Sequence, residues 1–65
     1  MSDLEQLADD VAQLEARVTD AVFDAVRSQL RGENAEAARE LERRLAKVRR
    51  SLQKAEHLLR HGGDD

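Results

Sequence analysis

Two histidines near the end of the chain, His57 and His61, are the residues whose spacing most closely matches a metal site. Four residues apart, they share one face of a helix, from which both imidazoles can reach one metal ion. They lie close to Glu56 and Asp64, and a third ligand would have to come from the C-terminal tail or from a neighbouring molecule. The alternative is that both are solvated residues, stabilised by the partial negative charge of a helix C-terminus. We predict no metal and no other cofactor, and keep the pair as the candidate metal site.

A basic stripe with helical spacing is the second chemical feature of the chain. It consists of Arg39, Arg43, Lys47, Arg50 and Lys54. Such a row can follow a phosphate backbone, with counterion release supplying the affinity. It can equally be a solvated helix face, paired in part with Glu36 and Glu40. The net charge of −3 and the absence of Tyr and Trp favour the solvated face over nucleic-acid binding.

Two apolar stripes run through the chain on either side of Gly32. The first consists of Leu4, Leu7, Val11, Leu14, Val18, Val22, Val26 and Leu30, and the second of Ala38, Leu41, Leu45, Val48, Leu52, Ala55 and Leu59. Steps of three and four residues are typical of one face of an α-helix. When the chain folds back at Gly32, the stripes pair in one antiparallel register, with residue numbers that add up to 62 to 64. The predicted fold class is all-α, an antiparallel two-helix hairpin.

Local signals predict the limits of the helices within one hairpin over residues 1–65. Ser2 and Glu5 form a capping box, which starts a first helix at about residues 3–31. Gly32 suits the left-handed position that ends a helix, and Asn34 suits the N-cap of the next one. The turn is therefore predicted at 32–34, the second helix at about 35–61, and a disordered tail at 62–65.

The paired stripes contain no charged or polar side chain, which argues against catalysis. Enzymes and di-metal proteins built on helical bundles need Glu, His, Arg or Lys that project inward to hold a substrate or metal. No Glu-x-x-His pair occurs in the chain. We therefore predict a protein that is not an enzyme.

A 65-residue hairpin without Cys needs further burial to be stable. Apolar residues near the turn exceed what one partner helix covers. They are Val22, Phe23, Val26, Leu30, Ala37, Ala38 and Leu41. A second hairpin would bury them in a four-helix bundle. We therefore predict a homodimer with this cluster as the interface to a second copy or another protein.

Charge and composition set the remaining expectations. Residues 1–31 carry seven acids and three arginines, whereas residues 33–61 carry five acids and eight basic residues. An acidic helix packed antiparallel on a basic one is electrostatically favourable. No long apolar run or basic leader is present, so we expect neither a membrane span nor a signal peptide. The lack of Cys fits a reducing compartment, and we expect a cytoplasmic protein.

In layout, the chain resembles the Rop-type RNA-modulating hairpins of plasmids, which are similar in length, turn position and polar C-terminal tail. The RNA-binding face of that family carries basic and polar residues of the first helix. Here the first helix is acidic, so no residue role is carried over. The sequence predicts a self-associating hairpin that acts as an adaptor, regulator or small subunit. The alternative is a nucleic-acid-binding regulator that uses the basic stripe of the second helix.

Overall fold

Helix α1 spans Asp3–Arg31 and helix α2 spans Ala35–His61. The structure, a computed structural model, describes residues 3–32 and 34–61. The two helices pack against each other in opposite directions and form a flat layer whose Cα atoms extend over 47 × 21 × 11 Å. The prediction of an all-helical chain with two packed helices is confirmed. The predicted cap at residue 2 and the predicted tail at 62–65 lie outside the described residues.

The turn depends on two residues with left-handed backbones. Gly32 has φ +77°, and its N–H donates to the carbonyl of Gln29 at 3.0 Å, which closes α1. Asn34 has φ +50°, a conformation that Asn tolerates better than most residues. Its carbonyl accepts a bond from the Ala38 N–H at 3.0 Å, so Asn34 holds the N-cap position of α2 through its backbone. The short turn makes the helices antiparallel neighbours.

Each helix follows a seven-residue repeat, and two heptad positions of each helix face the other helix. Position a contains Val11, Val18 and Ala25 in α1 and Ala38, Leu45, Leu52 and Leu59 in α2; position e contains Ala8, Glu15, Val22, Gln29, Glu42, Arg49 and Glu56. All of these side chains are buried or half-buried, whereas Leu4, the first residue at position a, is 50% exposed. The prediction of a seam without polar residues is therefore wrong, because position e brings charged side chains against the neighbouring helix.

The register between the helices also differs from the predicted one. Gln29 donates to the Glu42 carboxylate across the helices, and Arg60 donates to Asp9 at 3.2 Å. The residue numbers of these pairs add up to 71 and 69, not to 62 to 64. The helices are thus shifted by about one heptad from the predicted pairing. The faces in contact differ too, because the seam uses positions a and e, whereas the predicted first stripe follows positions a and d from Leu4 to Val18 and other positions from Val22 onward.

The buried core between the helices consists of small side chains. Among the described residues, the buried apolar ones are Ala8, Ala25 and Ala38, exposed by 0, 4 and 8%. Alanines let two helix backbones approach closely, because no larger side chain separates them. The larger apolar side chains therefore lie beside the seam and keep part of their surface in solvent.

Candidate association face

One face of the layer carries apolar side chains along both helices. This apolar face is formed by heptad position d, with Leu7, Leu14, Ala21 and Ser28 in α1 and Leu41, Val48 and Ala55 in α2. Its four large residues are 41 to 48% exposed. The two rows share a side of the layer, because Ser28 and Leu41 line one shallow depression. In water, such an extended apolar face is typical of an association surface.

Position a connects the seam with the apolar face. Val18, Leu45 and Leu52 are half-buried against the opposite helix, yet each also borders the exposed d positions. In a helix of 3.6 residues per turn, positions a, d and e form a stripe wider than one partner helix can cover. The second helix covers the side at e and leaves the side at d in solvent. The apolar face is thus the uncovered part of a single stripe.

The opposite face combines an ion pair with an isolated apolar patch. Arg60 donates to Asp9 on this face. Because Asp9 is at heptad position f of α1 and Arg60 at position b of α2, these positions lie on the opposite face. Phe23 follows Asp9 by fourteen residues and Leu30 follows Phe23 by seven, so both lie on this face. They are 56 and 81% exposed. Across from this patch, α2 presents Arg39 and not an apolar row.

The structure does not bring the predicted interface residues into one patch. Phe23 and Leu30 lie on the opposite face, whereas Leu41 and Ala37 lie on the side of the apolar face. Ala38 is buried in the seam, and two further members of the cluster, Val22 and Val26, are half-buried beside it. Sequence reasoning missed the importance of Leu7, Leu14 and Val48 as an exposed row. The seven-residue spacing from Leu7 to Leu14, and from Leu41 to Val48, was the signal that could have identified it.

A charged cluster joins the helices near their open end. The carboxyl groups of Glu15 and Glu56 meet across the seam, and their hydrogen bond raises the pKa of Glu15 and lowers that of Glu56. Arg60 donates to Glu56 at 2.8 Å, which lowers the pKa of Glu56 further. The Glu15 Oε2 and Arg49 Nε atoms are buried without a hydrogen-bond partner among the described residues. The two carboxyl groups therefore pair most favourably when Glu15 is protonated and Glu56 is ionised.

The two histidines lie together at the end of α2. Their ring centroids are 4.5 Å apart, so the predicted juxtaposition of His57 and His61 is present. Over residues 3–32 and 34–61, no group of three or more His, Asp or Glu side chains could hold a metal ion. Asp64, the candidate third ligand, lies outside that range. The geometry therefore supplies two of the ligands that a zinc site requires.

The basic stripe lies along α2 as a set of exposed side chains. All five residues of the stripe are exposed, and Arg43 contacts the Glu40 carboxylate one turn away at 3.4 Å. Both side chains of this pair are more than 60% exposed, so water screens their attraction. The stripe therefore remains a solvated surface with its charge available to a partner.

Comparison of the chain with protein-family models, with curated proteins and with solved structures finds no match. Evidence on function therefore comes from the surfaces described above. Within the described ranges, neither helix is long and apolar enough to cross a membrane.

Proposed function

We propose that this protein is a non-enzymatic helical hairpin that binds a second copy through the apolar face and acts by protein–protein association. The observation that supports this most directly is that both helices expose large apolar residues on one face, with Leu7 and Leu14 on α1 and Leu41 and Val48 on α2. A second hairpin laid on this face would bury Leu14 and Val48 in a four-helix bundle. The assembly would then work as an adaptor, regulator or small subunit.

The dimensions of the layer allow an interface of ordinary size. Its 47 × 21 Å Cα outline sets an upper bound of roughly 1,000 Å² on each copy, compared with about 800 Å² per partner in a standard specific interface. Without a second copy, the core contains buried alanines and half-buried larger residues. Such a core is small for a domain of this length. Self-association would therefore stabilise the hairpin itself.

The polar groups of the seam support a structural role over a catalytic one. Gln29 and Glu42 bond to each other, and Glu15, Glu56 and Arg60 form one connected cluster. Gln29 and Glu15 bond to residues of α2, and Arg60 bonds both within α2 and to Asp9 of α1. They therefore fasten the two helices together and do not converge on a cleft that could hold a substrate.

The test compares two aspartate variants on opposite faces of α1. Leu14→Asp places a charge in the centre of the apolar face, whereas Phe23→Asp places the same charge on the opposite face. Sedimentation equilibrium measures the mass of each variant and of the wild-type chain, whose monomer is 7.3 kDa. We expect a dimer for the wild type and for Phe23→Asp, and a monomer for Leu14→Asp.

Circular dichroism accompanies each mass measurement, so that loss of assembly can be separated from loss of helix. A monomeric wild-type protein would overturn the proposal. Dissociation by Phe23→Asp with an intact Leu14→Asp dimer would place the interface on the opposite face. Because the chain has one Phe and neither Tyr nor Trp, concentration is determined by refractive index.

A second candidate function is nucleic-acid binding through the exposed basic stripe. The observation that favours it is the solvent exposure of all five basic side chains along one helix. Changing Arg43, Lys47, Arg50 and Lys54 together to Glu should then abolish binding to a single-stranded RNA probe. Binding by the wild type should also weaken steeply with salt. The absence of salt-sensitive binding by the wild type would dismiss this candidate.

A further inference from the structure

A dimer that uses the apolar face can have two symmetric arrangements. A two-fold axis parallel to the helices places both turns at the same end and lays α1 on α2 of the second copy. A two-fold axis perpendicular to the helices places the turns at opposite ends and lays α1 on α1. Both arrangements bury the same residues, so apolar packing alone does not distinguish them.

We infer that the two hairpins associate with their turns at the same end. This inference rests on the proposed self-association. Helix α1 carries a net charge of −4, from seven acids and three arginines. Helix α2 carries a net charge of +4, from eight basic residues and four acids. The arrangement with both turns together sets each acidic helix on a basic one.

Residues at heptad position g border the apolar face on its outer side, so they flank the contact with the second copy. In α1 they include Asp10, Arg17 and Asp24, and in α2 they are Ala37, Arg44, Ser51 and Leu58. With both turns at one end, the second copy has the same register along the helix axis as the chain's own α2. Asp24 then meets Arg44, and Arg17 meets Ser51. No like charges face each other in this row.

Position c, the next row outward, shows the same complementarity. Lys47 of the second copy is the position-c residue nearest in level to Asp20, and Glu40 is nearest to Arg27. All four side chains are exposed in the hairpin. In both rows, the nearest charged residues of the two copies are thus opposite in charge.

The alternative arrangement brings like charges together. With the turns at opposite ends, residues of α1 meet residues of α1 whose numbers add up to about 34. Asp10 then faces Asp24 and Arg17 faces its own copy, whereas Asp3 and Arg31 at the ends of this row are opposite in charge. The like-charge pairs in the middle of the row cost free energy where two helices pack closely. Electrostatics therefore selects the arrangement with both turns together.

Dipolar spectroscopy between spin labels distinguishes the two arrangements. The chain contains no Cys, so Glu36→Cys introduces one labelling site at the turn end of α2. With both turns together, the label-to-label distance should be comparable to the 21 Å width of the layer. With the turns apart, it should approach the 47 Å length. Lys47→Cys, near the middle of α2, is the control because it gives a short distance in both arrangements.

Each outcome has a distinct meaning. Short distances at both positions support the inference. A short distance at position 47 with a long distance at position 36 overturns the inference but leaves the proposed dimer intact. The absence of dipolar coupling at both positions shows a monomer and overturns the proposed function, and the inference with it.

A charge exchange tests the contact between Asp24 and Arg44. Asp24→Arg and Arg44→Asp should each weaken the dimer about tenfold in Kd, and the double variant should recover most of this loss. Asp24 also pairs with Arg27 in its own helix, but this pair is lost both in Asp24→Arg and in the double variant. Recovery therefore isolates the contact between copies. The control Arg50→Asp, on the outer side of α2, should leave Kd unchanged. A double variant that dimerises more weakly than both single variants would contradict the arrangement.

Discussion

Both faces of the hairpin expose apolar side chains, but in different patterns. On the apolar face, Leu14 and Val48 belong to rows that continue along both helices. On the opposite face, Phe23 and Leu30 are more exposed, yet α2 sets charged and polar residues against them. An association surface is therefore indicated by apolar residues on both helices of one face, and not by the exposure of single residues. An isolated exposed apolar residue is common on soluble proteins.

The charged groups follow the same division. The ion pair between Asp9 and Arg60 lies on the opposite face, near the end of the hairpin away from the turn. The cluster around Glu56 extends this network into the seam. A second hairpin on that side would have to remove these charges from water, which is costly. The apolar face has no such cost along its d positions.

The largest effect is expected for Leu45→Asp, because Leu45 belongs both to the seam and to the border of the apolar face. An aspartate there places a charge where two helices, and in the dimer four, come together. We expect a loss of at least about 3 kcal/mol in the free energy of unfolding, enough to unfold a chain of this size. Thermal melting by circular dichroism measures it. Gln53→Asp, an exposed control on the opposite face, should melt near the wild-type temperature.

A pair of identical substitutions compares the faces directly. Leu41→Ser removes a large side chain from the apolar face, and Leu30→Ser removes one from the opposite face. Burial of a leucine contributes about 1.5–3 kcal/mol, so Leu41→Ser should weaken dimerisation by at least about tenfold. Leu30→Ser should change Kd less than about twofold, since surface substitutions cost at most about 0.5 kcal/mol. Equal effects of both changes, measured by sedimentation, would remove the distinction between the faces.

The small residues of the seam determine how closely the helices approach. Ala25→Leu inserts three carbon atoms where the side chain is only 4% exposed, which should cost about 1–3 kcal/mol. Ala16→Leu makes the same change at an exposed position of the opposite face and should be close to neutral. Denaturant unfolding of both variants measures the difference. A stabilised Ala25→Leu would indicate a looser seam than the structure shows.

The smallest effect concerns the paired carboxyl groups of the seam. The pKa of Glu15 is raised, so its contribution to stability is present at low pH and is lost as pH rises through that pKa. The pKa of Glu56 is lowered, so its contribution is lost only as pH falls through the lower value. Stability should therefore peak between the two pKa values. Glu15→Gln, which resembles the protonated form, should raise the melting temperature slightly at pH 7 and flatten the fall above the peak. A melting profile with an unchanged alkaline slope would contradict this assignment.

The helices and the turn between them follow from local signals in the sequence. Gly32 has the positive φ that its position after α1 requires, and Asn34 occupies the cap position of α2. Heptad spacing and the short connection then require an antiparallel hairpin. These features are local, because caps, breakers and periodicity act within a few residues along the chain.

Which side of the apolar stripe faces the neighbouring helix depends on how the two helices pack together. The stripe is wider than one helix can cover, so the sequence pattern allows contact through positions a and d or through a and e. Close approach at Ala8 and Ala25 favours the second choice, with Glu15 accommodated by a partner on α2. That balance between close packing and paired charges depends on both helices at once. It places Leu14 and Val48 in solvent, on the face that we propose a second copy covers.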